Sequence, residues 1–195
     1  ALGSRAVATA LAGALKEKDV AARVALRTTG CHGFCERGPL VVIHPGEIFY
    51  QQVRPEDVGE IVEETVVGGR LVERLLYHEG ESPVVKESEV PFYKYQQRLV
   101  FGANGRLDPT SIDDYLAQGG YSALAKVLDE MEPEEVIEEV KKSGLRGRGG
   151  GGFPAGRKWE SCRRAPGEPR YVICNADEGD PGAYMDRSLL EGNPH

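Results

Sequence analysis

Along residues 3–18, apolar side chains recur at every fourth position, Val7, Leu11 and Leu15. That is the stripe of a helix with one buried face. The tetrapeptide RVAL at 23–26 reads as a short strand ending in a turn at Thr28, Thr29 and Gly30. Apolar runs at 40–43 and 48–50 flank Pro45 and Gly46, so they read as the two arms of a hairpin. Pro55, with Glu56 and Asp57 behind it, suits the first turn of a helix. There a missing N–H costs nothing and carboxylates meet the positive end of the dipole. Gly68 and Gly69 end that helix. The order helix, strand, loop, hairpin, helix predicts one small α/β unit closing near Tyr77.

Beyond it, residues 78–91 are rich in Glu, Ser and Pro without periodicity and read as a linker. Residues 91–101 bring Phe92, Tyr93, Tyr95 and Phe101 together, so this segment packs against something. Asn104-Gly105 and Asp108-Pro109 mark turns. Ser111 suits an N-cap, and helical segments follow at 112–117, 121–131 and 133–142. The last has Pro133 at its first position, Glu134 and Glu135 in the first turn, and Lys141 and Lys142 ahead of Gly144. Capping and the helix dipole favour that arrangement. Tyr171, Val172, Ile173 and Cys174 read as a buried strand running into a sharp acidic turn. The expected fold class is α/β. Residues 1–80 form a first domain, 81–108 a linker and packing segment, and 109–195 the start of a second α/β domain. There is no internal repeat.

Charge narrows the partners. With 24 Lys and Arg against 31 Asp and Glu, the net charge of −7 excludes a surface built throughout to grip nucleic acid or an anionic membrane. No run reaches the roughly 18 to 20 apolar residues that span a bilayer, and the short run at 6–15 is followed by no cleavage-site pattern. A cytoplasmic protein with no membrane insertion and no nucleic-acid partner is expected.

Glycine changes the picture, since six of the 25 glycines fall between positions 144 and 152. Gly147, Gly149 and Gly152 satisfy G-x-G-x-x-G, but a helix rather than a strand precedes them, which excludes the ordinary dinucleotide turn. The physics of a bared backbone remains: several N–H groups can approach an anionic or planar ligand with no Cβ in the way. From Arg146 to Arg170, seven cations face two anions, a local charge of +5 inside a chain of −7. An ordered anion site fits better than a flexible linker, because Phe153, Pro154 and Trp159 anchor the segment. It also fits better than an RGG-type RNA-binding stretch, which comes in repeated copies. After the predicted strand, Asn175, Asp177, Glu178 and Asp180 crowd one turn. The carboxyl edge of an open α/β sheet is where ligands bind, and carboxylates there accept hydrogen bonds from ring N–H groups or ribose hydroxyls.

The four cysteines are too few for a disulfide framework. Cys162 reads as an inert helix residue and Cys174 as a buried strand thiol. Cys31 and Cys35 make a C-x3-C pair. Zinc and iron–sulfur sites both use four ligands, so spacing alone leaves the choice open.

Together, SGLRGRGGGGFPAGRKW and YVICNADEGDPGAYMDR resemble the NADH- and FMN-binding flavoprotein subunit of respiratory complex I and its soluble relatives. Those relatives are the diaphorase subunits of NAD(P)-linked hydrogenases and formate dehydrogenases. GRLDPTSIDDYLAQGGYSAL and PEEVIEEVKKSGLRG extend the likeness upstream. TGCHGFCERGPLVVI is similar to the second cysteine pair and following strand of the thioredoxin-like [2Fe–2S] ferredoxin module fused to the soluble relatives.

The resemblance implies a thioredoxin-like domain over 1–80, truncated at its start, with Cys31 and Cys35 as two of four [2Fe–2S] ligands. It implies the first part of a Rossmann-like FMN-binding domain over 109–195. An internal fragment is expected, with a ubiquitin-like domain and a helical [4Fe–4S] domain to follow. FMN and NAD(H) or NADP(H) would be bound by Gly147, Arg148, Gly149, Gly150, Phe153, Lys158, Asn175 and Asp177, with Glu178 and Asp180 in the same acidic turn. Gly151 stands where the family usually has Ala, and Asp180 where it usually has Glu, which leaves the choice of nucleotide open. The implied reaction is hydride transfer from nicotinamide to FMN and then single electrons to iron–sulfur clusters, with no side chain as general acid or base. Implied partners are the nucleotide and the other subunits of an electron-transfer complex. These would be a small ferredoxin-like subunit, a hydrogenase, a formate dehydrogenase or the complex I peripheral arm, holding the protein in the cytoplasm or against the inner membrane face. The competing reading is a non-catalytic electron-carrier or docking module.

Overall fold

The computed structural model describes residues 3–31 and 33–195. The fold is mixed α/β and forms two compact units. One runs to Ile112 and takes back Asp180–Pro194; the other is Asp113–Gly179 with His195. These units cut the chain differently from the segments 1–80, 81–108 and 109–195, because the end of the chain returns to the first unit.

In the first unit, α1 (Ser4–Glu17) buries Val7, Leu11 and Leu15, the predicted stripe. It packs on α2, which begins as 3-10 over Pro55–Asp57, continues as α over Val58–Glu60 and ends as π over Ile61–Val67. Val58, Ile61 and Val62 point inward from α2. The predicted hairpin is present: β1 (Val41–Ile43) pairs antiparallel with β2 (Ile48–Tyr50), Val41 opposite Tyr50. Tyr50 is wholly buried, and its hydroxyl accepts the Val72 N–H at 3.0 Å and bonds to the Thr65 hydroxyl at 2.6 Å. A buried phenol needs such partners. Asp57 is a buried carboxylate. Burial works against its charge, but the Arg54 N–H (2.8 Å) and the Arg74 guanidinium (2.7 Å) prevail and hold its pKa below the ordinary value.

Two local expectations fail in this unit. Residues 23–26 join no ladder. Val24 packs on the core but Leu26 is 42% exposed, and an apolar tetrapeptide without a neighbouring strand cannot place its backbone groups in a sheet. The polar stretch at 78–91 is not a linker. There β3 (Tyr77–Glu79) and β4 (Ser82–Val84) form a second hairpin, the Phe49 N–H bonds to the Val85 carbonyl at 2.8 Å, and Val90 is wholly buried. A few valines do the packing, while Glu79, Glu81, Ser82 and Glu89 are exposed. The short helix α3 (Pro91–Lys94) follows.

The second unit holds α4 (Ile112–Ala117), α5 (Ser122–Glu130), α6 (Pro133–Lys142) and α7 (Ala155–Arg164). The three predicted helices are all there. α6 and α7 touch closely at Gly156, where a Cβ would lie 2.8 Å from the Lys141 backbone nitrogen. Lys141 bridges Glu138 (2.7 Å) and Glu160 (3.0 Å), and Arg163 pairs with Glu134 at 2.9 Å. The predicted buried strand at 171–174 is corrected: Tyr171, Val172, Ile173 and Cys174 are exposed and join no ladder. Among the described residues every strand lies in the first unit, so nothing in the second unit can pair with this backbone. The last helix, α8 (Met185–Gly192), belongs to the first unit. Among the described residues no helix is long and apolar enough to cross a membrane.

Candidate cofactor sites

Cys31 and Cys35 share one loop of the first unit, and their Sγ atoms stand 3.8 Å apart. Two thiolates on one tetrahedral ion, with bonds of about 2.3 Å, are separated by about 3.8 Å. The Gly33 N–H donates to the Cys31 sulfur at 3.3 Å, the kind of hydrogen bond that tunes an iron–sulfur centre. Gly33 has φ +87°, a left-handed conformation that leaves its amide free to turn inward. Burial, then the hydrogen bond and charge of Cys31, push the Cys35 thiol pKa up. The separation fits two ligands on one tetrahedral ion, zinc or an iron of a cluster alike. Among the described residues no group of three possible ligands comes together.

The loop is held by aromatic rings. Phe34, between the two cysteines in sequence, stacks on Phe92 with centroids 4.2 Å apart and planes 4° from parallel. Tyr93 meets Phe34 edge-on at 5.9 Å and Phe49 at 5.7 Å, and the Arg98 guanidinium lies 4.7 Å from the Tyr93 ring centre. The expectation that the 91–101 segment packs against something is met by Phe92 and Tyr93, whose target is the cysteine loop, while Tyr95 is exposed. Phe34 and Phe92 carry no functional signal in the sequence beyond their aromatic character.

In the second unit, the glycine loop joins α6 to α7. Its neck is closed by two backbone bonds: the Ala155 N–H donates to the Leu145 carbonyl and the Gly147 N–H to the Phe153 carbonyl, both at 2.9 Å. Beyond this neck the backbone is bare. A Cβ on Gly149, Gly150 or Gly151 would meet nothing within 4 Å, and Gly150 has φ +92°. Arg146 and Arg148 fold back on the loop's own carbonyls, Arg146 on Gly152 at 3.3 Å and Arg148 on Arg146 at 2.7 Å. Phe153 is half exposed, with the Arg157 guanidinium 5.7 Å over its ring. Lys158 is exposed in the first turn of α7. Uncovered amides, a helix N-terminus and several cations are thus gathered in one place, the surroundings an anionic cofactor needs.

In the acidic turn, Asn175 Oδ1 accepts the Asp177 N–H at 3.2 Å, and Glu178 adopts φ +46°. Arg170, which the sequence marked only as the last of seven cations, anchors the approach to this turn. Its guanidinium donates to the carbonyls of Cys162 (3.2 Å), Arg163 (3.2 Å) and Ala165 (3.1 Å) at the end of α7. Gly147, Arg148, Gly149, Gly150, Phe153 and Lys158 are therefore on one loop and helix start. Asn175, Asp177 and Glu178 form a separate turn, and Asp180 belongs to the first unit. The groove of about 430 Å³ beside α6 is lined by Glu130, Glu134, Glu135, Glu138 and Glu139 and holds none of these residues.

Known proteins resemble both parts of the chain. Residues 140–195 match the Nuo51 FMN-binding domain. The NADP-reducing hydrogenase subunit HndC of Solidesulfovibrio fructosivorans is 55% identical over 102 residues, 52% of this chain and 20% of the relative. An NADH-quinone oxidoreductase subunit of Aquifex aeolicus is 59% identical over 85 residues, 44% of this chain and 20% of the relative. Its namesake in Escherichia coli is 43% identical over 88 residues, 45% of this chain and 20% of the relative. The chain thus spans about a fifth of the length of these relatives. Two solved structures of a thioredoxin-like [2Fe–2S] ferredoxin from Aquifex aeolicus are 40% and 39% identical. They cover 42% and 40% of this chain and 76% and 77% of their own, each with a TM-score of 0.38, too low for the backbones to argue a common fold. Over residues 140–195 the chain is similar to the Nuo51 FMN-binding domain, in line with the likeness carried by its glycine loop and acidic turn.

Proposed function

We propose that this chain is part of an NAD(P)H-oxidising flavoprotein subunit that works inside a multi-subunit oxidoreductase. One observation carries the reading: a glycine loop with uncovered amides stands at the start of α7, within the segment that matches an FMN-binding family. The names of the relatives, subunits of an NADP-reducing hydrogenase and of NADH-quinone oxidoreductases, support a nicotinamide nucleotide as substrate and other subunits as partners. The segment 1–80 acts as a thioredoxin-like [2Fe–2S] module through Cys31 and Cys35, and 109–195 begins the flavin-binding domain. The protein works in the cytoplasm or at the inner membrane face through its partners, and a [4Fe–4S] cluster lies elsewhere in the same subunit.

Bound FMN supplies a hydride acceptor that releases electrons one at a time. The residues of this chain do the rest. Gly149 and Gly150 bring backbone donors to the cofactor without a Cβ in between, Gly147 closes the neck that presents them, and Arg148 and Lys158 hold positive charge beside them. Phe153 offers an exposed ring face for stacking. Asn175, Asp177 and Glu178 orient polar edges of the cofactor, and Asp180 accepts from the nucleotide. No side chain has to move a proton. The test is to purify the full-length protein, release any bound cofactor with acid and identify it. FMN at about one per subunit is expected from this site assignment; a protein purified without flavin, and unable to bind added FMN, overturns it.

A further inference from the structure

Three residues far apart in sequence meet beside the cysteine loop. Gly192 ends α8 and is buried. A Cβ on Gly30 would stand 2.4 Å from the Gly192 Cα, and a Cβ on Gly192 would stand 2.5 Å from the Asn104 side-chain nitrogen. Real Cβ atoms do not approach other atoms that closely, so the backbones touch only because both residues are glycine. Asn104 is wholly buried. Its Nδ2 donates to the Ser188 carbonyl of α8 at 3.2 Å, while its Oδ1 is buried without a hydrogen-bond partner. A buried amide half satisfied in this way calls for an explanation in what it holds in place. What it holds is α8.

We propose that α8 is a clasp closed on the cysteine loop, with Gly30 and Gly192 as the touching surfaces and Asn104 as the pin. Cys31 follows Gly30 directly, so the seating of α8 reaches the first thiol through a single peptide unit. α8 also follows closely on the turn that carries Asp180. A change at α8, next to Asp180, and a change at the thiols are therefore linked through one contact, and thermodynamic linkage makes the coupling reciprocal. The functional consequence rests on the flavoprotein reading above; the contact itself does not.

Reciprocity supplies the test. In the full-length protein, amide hydrogen exchange is followed by mass spectrometry in two peptides, one covering 29–37 and one covering 185–193. Gly192→Ala speeds exchange in the distant 29–37 peptide about tenfold, Gly30→Ala does the same in 185–193, and Asn104→Ala opens both. Gly13→Ala, where a Cβ would meet open space, changes neither. The electron paramagnetic resonance signal of the reduced [2Fe–2S] cluster shifts in Gly192→Ala, which a purely local change in α8 would not cause. If each glycine variant alters only its own peptide, or neither, the clasp is overturned. Asn104→Ala decides the matter if a glycine variant fails to fold. Loss of the flavoprotein reading would instead show as absence of bound flavin, with the exchange results intact.

Discussion

Cys31 and Cys35 stand 3.8 Å apart on a loop whose Phe34 is clamped by Phe92 and Tyr93, while Gly149, Gly150 and Gly151 stand in open space on a loop closed only at its neck. The two regions have opposite demands. Thiolates must already be at the right separation when iron arrives, so their loop is braced by rings from a later segment. A flavin nucleotide is large and planar, so its site keeps backbone donors uncovered and lets the ligand complete the surface. Bracing takes packed rings; openness takes glycine.

The largest break in this comparison comes at the thiols. Cys35→Ser in the full-length protein abolishes the [2Fe–2S] signal and lowers iron content, yet FMN is retained at about one per subunit, because the proposed flavin residues do not include the cysteines. Loss of both cofactors together would mean that the two sites are one.

Removing the brace comes next. Phe92→Ala deletes the stacked partner of Phe34 and costs about 2 kcal/mol in a urea melt, from lost burial and ring stacking. Alkylation of Cys35 by iodoacetamide speeds up at the same time. Phe153→Ala, at a half-exposed ring on the open loop, costs under about 1 kcal/mol of stability and acts on flavin retention instead. Equal stability losses from the two variants would erase the contrast.

The regions differ in their response to acid as well. Asp57 is buried in the first unit and its pKa is lowered, so the stability it contributes is complete above the ordinary carboxylate range. That contribution fades as pH falls through the lowered value, where the folded chain must also take up the proton. Asp57→Asn removes about 1.5 kcal/mol at neutral pH, and the gap from the parent closes in acid. A gap that persists unchanged at the lowest pH would mean that the loss is steric. Arg163 also holds the Glu134 pKa below its ordinary value, but this pair of α6 and α7 is at the surface and screened by solvent, so Glu134→Gln gives a much smaller closing gap.

What the sequence revealed of these regions follows from the range of the interactions. The α1 stripe at Val7, Leu11 and Leu15, the β1–β2 hairpin and α6 with Pro133 at its start depend on neighbours a few residues away, and they appear where pattern placed them. The glycine loop was legible for the same reason. Failures came where a distant partner decides. RVAL and the run from Tyr171 to Cys174 have strand-like side chains but no ladder, and nothing local announces that a partner is missing. Asn104 read as a turn marker and proves to be a buried pin, because its partners Gly30 and Ser188 come from opposite ends of the chain. The pairing of Phe34 with Phe92 was foreshadowed only as an aromatic segment in need of a surface.

The finest test separates two cations of α7. Lys158 lies in the first turn, next to the bare backbone, and its side chain is exposed. Arg163 lies in the last turn and is engaged with Glu134 at 2.9 Å on the surface. If FMN binds at the glycine loop, it displaces water around Lys158, and a charge-assisted contact there is worth about 1.5–3 kcal/mol. The Arg163 pair is screened in high dielectric at the surface, and Arg163 is outside the proposed flavin residues. Lys158→Ala should therefore weaken FMN binding about tenfold more than Arg163→Ala, since each 1.4 kcal/mol is a factor of ten. Titration of flavin-depleted full-length protein with FMN, followed by quenching of flavin fluorescence, measures both. Equal dissociation constants, or a greater loss from Arg163→Ala, would move the site away from the start of α7 and leave the open glycine loop without its ligand.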